Sequence, residues 1–123
     1  MSVLIPILSK QENDTEFLSK AIHEQTYVYL LLIVEARSLD STFGFTASQI
    51  NHGNALINEI KTILEKQNKK VYDTLEWGDT TPRIINFAKL KKITKIALKN
   101  QENEDFKKLV KQLKQENLNV QVI

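Results

Sequence analysis

The chain has 123 residues, 41% of them hydrophobic and 26% charged, with a formal net charge of +2, three glycines, two prolines and no cysteine. This is one domain's worth of a globular, well-mixed sequence, and it excludes disulfides, thiolate metal sites and cysteine nucleophiles. The longest apolar run, residues 28–34, is far short of the roughly 20 residues of a membrane span. The opening Met-Ser-Val-Leu-Ile-Pro has no basic stretch of the kind that starts a secretory signal, so the expected location is the cytoplasm.

In chain order, residues 2–8 form a nearly continuous apolar run, as in a strand covered on both faces. Pro6 inside it would suit a strand end better than a central ladder. Asn13, Asp14 and Thr15 offer a helix cap, and Phe17, Leu18, Ala21 and Ile22 give one apolar stripe. Glu12, Asp14 and Glu16 gather near that helix start, where negative charge suits the dipole. Residues 26–34 are β-branched, aromatic and leucine-rich, the pattern of a buried strand. Residues 35–45 read as a loop containing Gly44, whose Phe43 and Phe45 are expected to fold back over the body of the protein. Residues 46–67 carry a long helical stripe through Ile50, Ile57, Ile60 and Leu64. Gly53 weakens that helix or marks a close contact.

Residues 70–76 alternate in polarity, as a strand near a sheet edge does. Thr81-Pro82 starts a short helix with Ile84, Ile85 and Ala88 inward, and Asp79 is placed to cap it. Trp77 is expected in the core or in a lid. Residues 93–98 form a fourth strand, and residues 100–104 a polar loop. Phe106, Leu109, Val110 and Leu113 give a last helical stripe, and residues 119–123 a fifth strand. Alternating strands and helices imply a parallel sheet with helices on both faces and right-handed crossovers. Two strand orders fit, 2-1-3-4-5 and 3-2-1-4-5. The alternating third strand favours the second, which makes it an edge. A ligand would then lie beyond the first and fourth strands, near Ser9, Val34, Lys99 and Asn100.

No catalytic or metal-ligating pattern stands out. His23 and His52 lack any ligand spacing and read as surface residues. Ser9, Ser19, Ser38, Ser41 and Ser48 have no nucleophile-elbow context. Asp73, Glu76 and Asp79 read as edge and turn residues. Residues 1–87 carry 8 basic and 11 acidic groups, residues 88–123 carry 9 and 4, so the C-terminal third is basic. Its lysines have no interleaved aromatic platform or helix-turn-helix signature, and solvated helix faces account for them better than nucleic acid does.

The residues also carry a resemblance. Val3-Leu4-Ile5-Pro6, the run before residue 34, the long helix at 46–67, and Gly78 followed by Ile84 and Ala88 together resemble the universal stress proteins over the whole chain. The strands at 94–98 and 119–123 take the places of that family's last two. The resemblance implies a single domain over residues 1–123, with a Rossmann-like sheet of the adenine nucleotide alpha hydrolase type. It also implies a homodimer paired through the last strand, Val120, Gln121, Val122 and Ile123.

The departures concern the nucleotide. ATP-binding members carry an aspartate soon after the first strand's proline, where this chain has Ile7, Leu8 and Ser9. Their glycine-rich loop after the fourth strand is replaced here by Lys99-Asn100-Gln101-Glu102-Asn103-Glu104-Asp105, which has no glycine to let backbone N–H groups approach a phosphate and three carboxylates to repel one. The expectation is therefore a non-catalytic module without a cofactor, acting by dimerisation and by binding a protein partner, as a regulatory domain of a transporter would. The alternative is a small-molecule or nucleotide binder, or a hydrolase, that uses the same crevice in a non-standard way.

Overall fold

The computed structural model describes residues 1–35, 43 and 45–123; the loop expected at 35–45 falls largely outside them, Ser38, Ser41 and Gly44 included. The elements run β1 (Ser2–Pro6), α1 (Thr15–Ala21), β2 (Tyr27–Val34), a 3₁₀ turn (Ala47–Gln49) leading into α2 (Ile50–Glu65), β3 (Lys70–Trp77), α3 (Thr80–Leu90), β4 (Lys95–Leu98), α4 (Glu104–Gln115) and β5 (Val120–Val122). The five strands make one parallel sheet in the order β3-β2-β1-β4-β5. This is the second of the two orders open to the sequence.

Alternation along the strands builds two cores. Val3 and Ile5 of β1 and Val28, Leu30 and Leu32 of β2 pack under α1 and α2. Leu4 of β1, Leu31 and Ile33 of β2, and Ile96 and Leu98 of β4 pack under α3 and α4. Because β1 and β2 bury both faces, they read as continuous apolar runs. Edge strand β3 keeps polar residues between its apolar ones and is largely exposed.

Pro6 lies in the central strand without breaking a ladder. Ile7 N–H donates to the Leu31 carbonyl at 2.9 Å, so the neighbouring residue Pro6 turns its nitrogen to the β4 side, where pairing reaches only Leu4↔Ile96. The strand ends at Pro6 rather than Leu8 because the Leu8 N–H is diverted to the Glu12 carboxylate. At the other end, Thr94 is spent on Ser2: its hydroxyl donates to the Ser2 carbonyl at 2.6 Å and accepts from the Ser2 N–H at 3.0 Å. Strand β4 accordingly begins at Lys95.

Two expectations need correction. Trp77 is 50% exposed at the end of the edge strand, where no described strand lies beyond β3 to cover the ring. Helix α3 starts at Thr80, so Pro82 is its third residue, where a missing N–H is still harmless. Asp79 holds the capping position, but its side chain makes no capping bond. Gly53 marks a close contact: a Cβ there would come within 2.9 Å of Leu32 and 3.3 Å of the Phe45 ring.

Scarce glycine shows at the helix ends. Glu24, Asn68, Lys92 and Asn117 follow the four helices in the left-handed conformation, with φ of 63°, 61°, 53° and 61°. Glycine usually fills such positions, and a side chain with a Cβ is strained there by roughly 1–2 kcal/mol, asparagine less. Lys92→Gly is therefore expected to stabilise the protein by about 1 kcal/mol, with part of the relief offset by a looser unfolded chain. Asn68→Gly and Asn117→Gly should change it less. Urea midpoints of the three variants check the ranking.

Candidate functional site

Two regions could carry function: the loops beyond the carboxyl ends of β1 and β4, and the sheet edge at β5. In the first, the chain turns sharply after Leu8, and Lys10 adopts φ 65°. Glu12 folds back into this turn, only 1% exposed. Its Oε2 accepts from the Leu8 N–H at 3.2 Å, the Ser9 N–H at 2.8 Å and the Ser9 hydroxyl at 2.7 Å. The sequence places Glu12 among the charges at the start of α1. The structure turns it the other way, into the loop.

Asp14 is the N-cap of α1, its Oδ1 accepting from the Glu16 N–H at 2.9 Å. Its Oδ2 lies 3.1 Å from the Lys99 ammonium, which arrives from the end of β4. This hydrogen bond from Lys99, helped by the Glu16 N–H, holds the Asp14 carboxyl below the usual carboxylate range. Lys99 also lies 5.8 Å from the Phe17 ring centre, and Lys10 lies 5.0 Å above the Phe45 ring. Both lysines are thus directed at neighbouring side chains of the same region.

Of the four crevice candidates, Ser9 is bound to Glu12 and Lys99 to Asp14. Val34 is fully buried, with the Gly78 N–H on its carbonyl at 3.0 Å. Asn100 gives its N–H to the Ile123 carbonyl at 2.9 Å. Phe43 and Phe45 fold inward as expected, Phe43 onto the α3/α4 core and Phe45 onto the α1/α2 core. In the loop after β4, Asn103 caps α4 by accepting from the Phe106 N–H at 2.7 Å. Thr80, buried at the start of α3, donates its hydroxyl to Glu35. His23 and His52 are exposed. Among the described residues no cluster of His, Asp and Glu could hold a metal, and no helix is long and apolar enough to cross a membrane.

The second region lies along α4 and β5. A groove of about 1030 Å³ runs there, lined by the apolar side chains of Phe106, Val110 and Val122, by Lys107, Lys111 and Lys114, and by residues 100–104 after β4, Glu102 and Glu104 included. Among the described residues, strand β5 pairs only with β4. Ile123 N–H donates to the Leu98 carbonyl at 2.9 Å, and Asn100 N–H to the Ile123 carbonyl, so Ile123 faces β4. By the alternation of a strand, Val122 presents its own N–H and C=O at the free edge, and its side chain is 39% exposed.

No family model and no curated protein matches the sequence. The fold has solved counterparts. A protein of the universal stress protein family from Burkholderia pseudomallei superposes with a TM-score of 0.67 at 12% identity, covering 99% of this chain and 94% of that one. A hypothetical protein, MJ0577, solved as a structural-genomics test case for assigning biochemical function, gives 0.70 at 20% identity with the same coverage. A further hypothetical protein, PH0823, gives 0.65 at 16% identity, again over 99% and 94% of the two chains.

Proposed function

We propose that this chain, which has the fold of the universal stress proteins, is a non-catalytic cytoplasmic module of that type, acting through self-association and a protein partner and not through ATP. The observation that carries the reading is the free edge of β5 beside the α4 groove. An unpaired strand edge offers backbone donors and acceptors to another chain, and the groove adds apolar surface from Phe106, Val110 and Val122. A second copy pairs with this edge antiparallel about a two-fold axis, as closed symmetry requires. Val120, Gln121, Val122 and Ile123 then form the seam.

The loops at the other end support the second half of the reading. Two backbone N–H groups at the end of β1 are taken by Glu12, and Lys99 is taken by Asp14. A polyphosphate entering there meets the carboxylates of Glu12 and Asp14, with Glu102, Glu104 and Asp105 nearby in sequence. Thermal melting with ATP, AMP and cyclic nucleotides tests this. The expected result is no shift. Stabilisation by several degrees with ATP at sub-millimolar concentration would reverse the reading in favour of nucleotide binding.

A further inference from the structure

The turn after β1 contains more than a loop needs. Satisfying two backbone N–H groups in a turn is ordinarily the work of a neutral serine or asparagine, or of a carboxylate open to water. Here a glutamate does it almost completely out of solvent. Glu12 has no ion pair among the described residues, and its second oxygen, Oε1, is buried there without a hydrogen-bond partner. A buried carboxylate is expensive unless several donors converge on it. Three do, all on Oε2: Leu8 N–H, Ser9 N–H and Ser9 Oγ–H, at 2.7–3.2 Å. The Gln11 N–H donates to Ser9 Oγ at 3.1 Å, which leaves that hydroxyl's proton for Glu12. Successive backbone N–H groups with a hydroxyl, aimed at one point, form a nest for a negatively charged oxygen.

We propose that the loop formed by Leu8 and Ser9 is an oxyanion-binding site whose resident occupant is the chain's own Glu12, so that a carboxylate or phosphate group enters only by displacing that side chain. This goes beyond the partner-binding reading and holds whether or not the chain dimerises. The ligand class is set by the donors. Two N–H groups and one O–H match a single oxygen of a carboxylate or a phosphate and offer nothing to a cation. Asp14 is committed to Lys99 and to the α1 cap, and so is not a substitute for Glu12.

The test is chemical rescue. Glu12→Ala is melted in sodium chloride, sodium formate and sodium phosphate at matched ionic strength. In chloride the variant melts several degrees below wild type. In formate or phosphate the loss is partly restored, saturably, as expected for a ligand that binds only the folded state. Wild type, with the site filled, responds to formate and phosphate as it does to chloride. Rescue by formate alone identifies a carboxylate-sized site, and rescue by phosphate alone a phosphate site; either supports the proposal. No rescue by either anion, or an equal response in wild type, overturns it.

Adding Ser9→Ala to the variant removes one of the three donors and should weaken the rescue severalfold. Undiminished rescue places the anion elsewhere and overturns the assignment. Glu12→Gln, whose amide oxygen keeps the nest filled, should show no rescue. If Glu12→Ala does not fold in chloride, its refolding yield in formate and phosphate replaces the melting point, recovery supporting the proposal and none overturning it.

Discussion

If the proposed β5-paired dimer forms, Val122→Pro is expected to convert it to a monomer while leaving the fold of each copy in place. Residue 122 directs its N–H and C=O away from β4, because Ile123 spends its own groups on Leu98 and Asn100. Proline at this position therefore removes a donor from the outer edge and none from the β4 ladder. Light scattering should report twice 14.2 kDa for wild type and the mass of one chain for the variant; a wild type already at the mass of one chain would overturn the dimer itself. Far-ultraviolet circular dichroism should stay unchanged. A variant that keeps the wild-type mass would remove β5 from the interface.

Salt dependence gives an independent reading of the same geometry. A two-fold axis through an antiparallel edge pair sets the same sheet face of both copies side by side, so Lys111 and Lys114 of one copy (Lys107 being paired with Glu104) approach those of the other. Their repulsion is screened by salt. Moderate salt should tighten the dimer, the reverse of what an interface held by opposite charges would show.

Phe45→Ala is expected to lower stability by about 3–5 kcal/mol, the range for emptying a buried aromatic site. The ring is fully buried, against Gly53 and Leu32, with His52 at 6.3 Å and Lys10 above it. Little nearby can refill the space, since the helix residue facing it is a glycine. The backbone of Phe45 also continues the sheet: its N–H donates to the Ile33 carbonyl at 2.8 Å, and its carbonyl accepts from Glu35 at 3.0 Å. These bonds do not involve the side chain, so the variant should lose packing without losing the bridge to β2. A large fall in the urea midpoint with an unchanged far-ultraviolet spectrum is the outcome that fits.

The order of elements and the sheet order were legible because period and burial coincide. Residues 30–34 have no polar face because that part of β2 is buried on both sides, and β3 alternates because it is an edge. The inward folding of Phe43 and Phe45 followed from their apolar character in a polar stretch. Trp77 misled for a related reason: its residue type favours burial, but it sits at a strand end on the sheet edge, where no described strand provides it. Glu12 was the least legible. Its sequence neighbours, Asp14 and Glu16, make it look like one more charge at a helix start. Only the reversal of the chain at Lys10 brings its carboxylate back onto Leu8 and Ser9, and nothing in residue spacing encodes that reversal.

The place of β1 in the sheet governs how the molecule can be assembled. Strand β1 is central, and one of its neighbours, β4, comes from much later in the chain, as the bonds between Ser2 and Thr94 across 92 positions show. Residues through β3 can form a three-stranded sheet with α1 and α2 over one side. Until α3 and α4 arrive, Leu4, Leu31 and Ile33 face water on the other side and β1 has an open edge. Closing so long a loop before its contacts are made is slow, and a half-covered sheet is sticky while it waits. Partial chains and arrested folding states of this protein are therefore where aggregation begins, and the docking of β4 beside β1 is the step that ends the exposure.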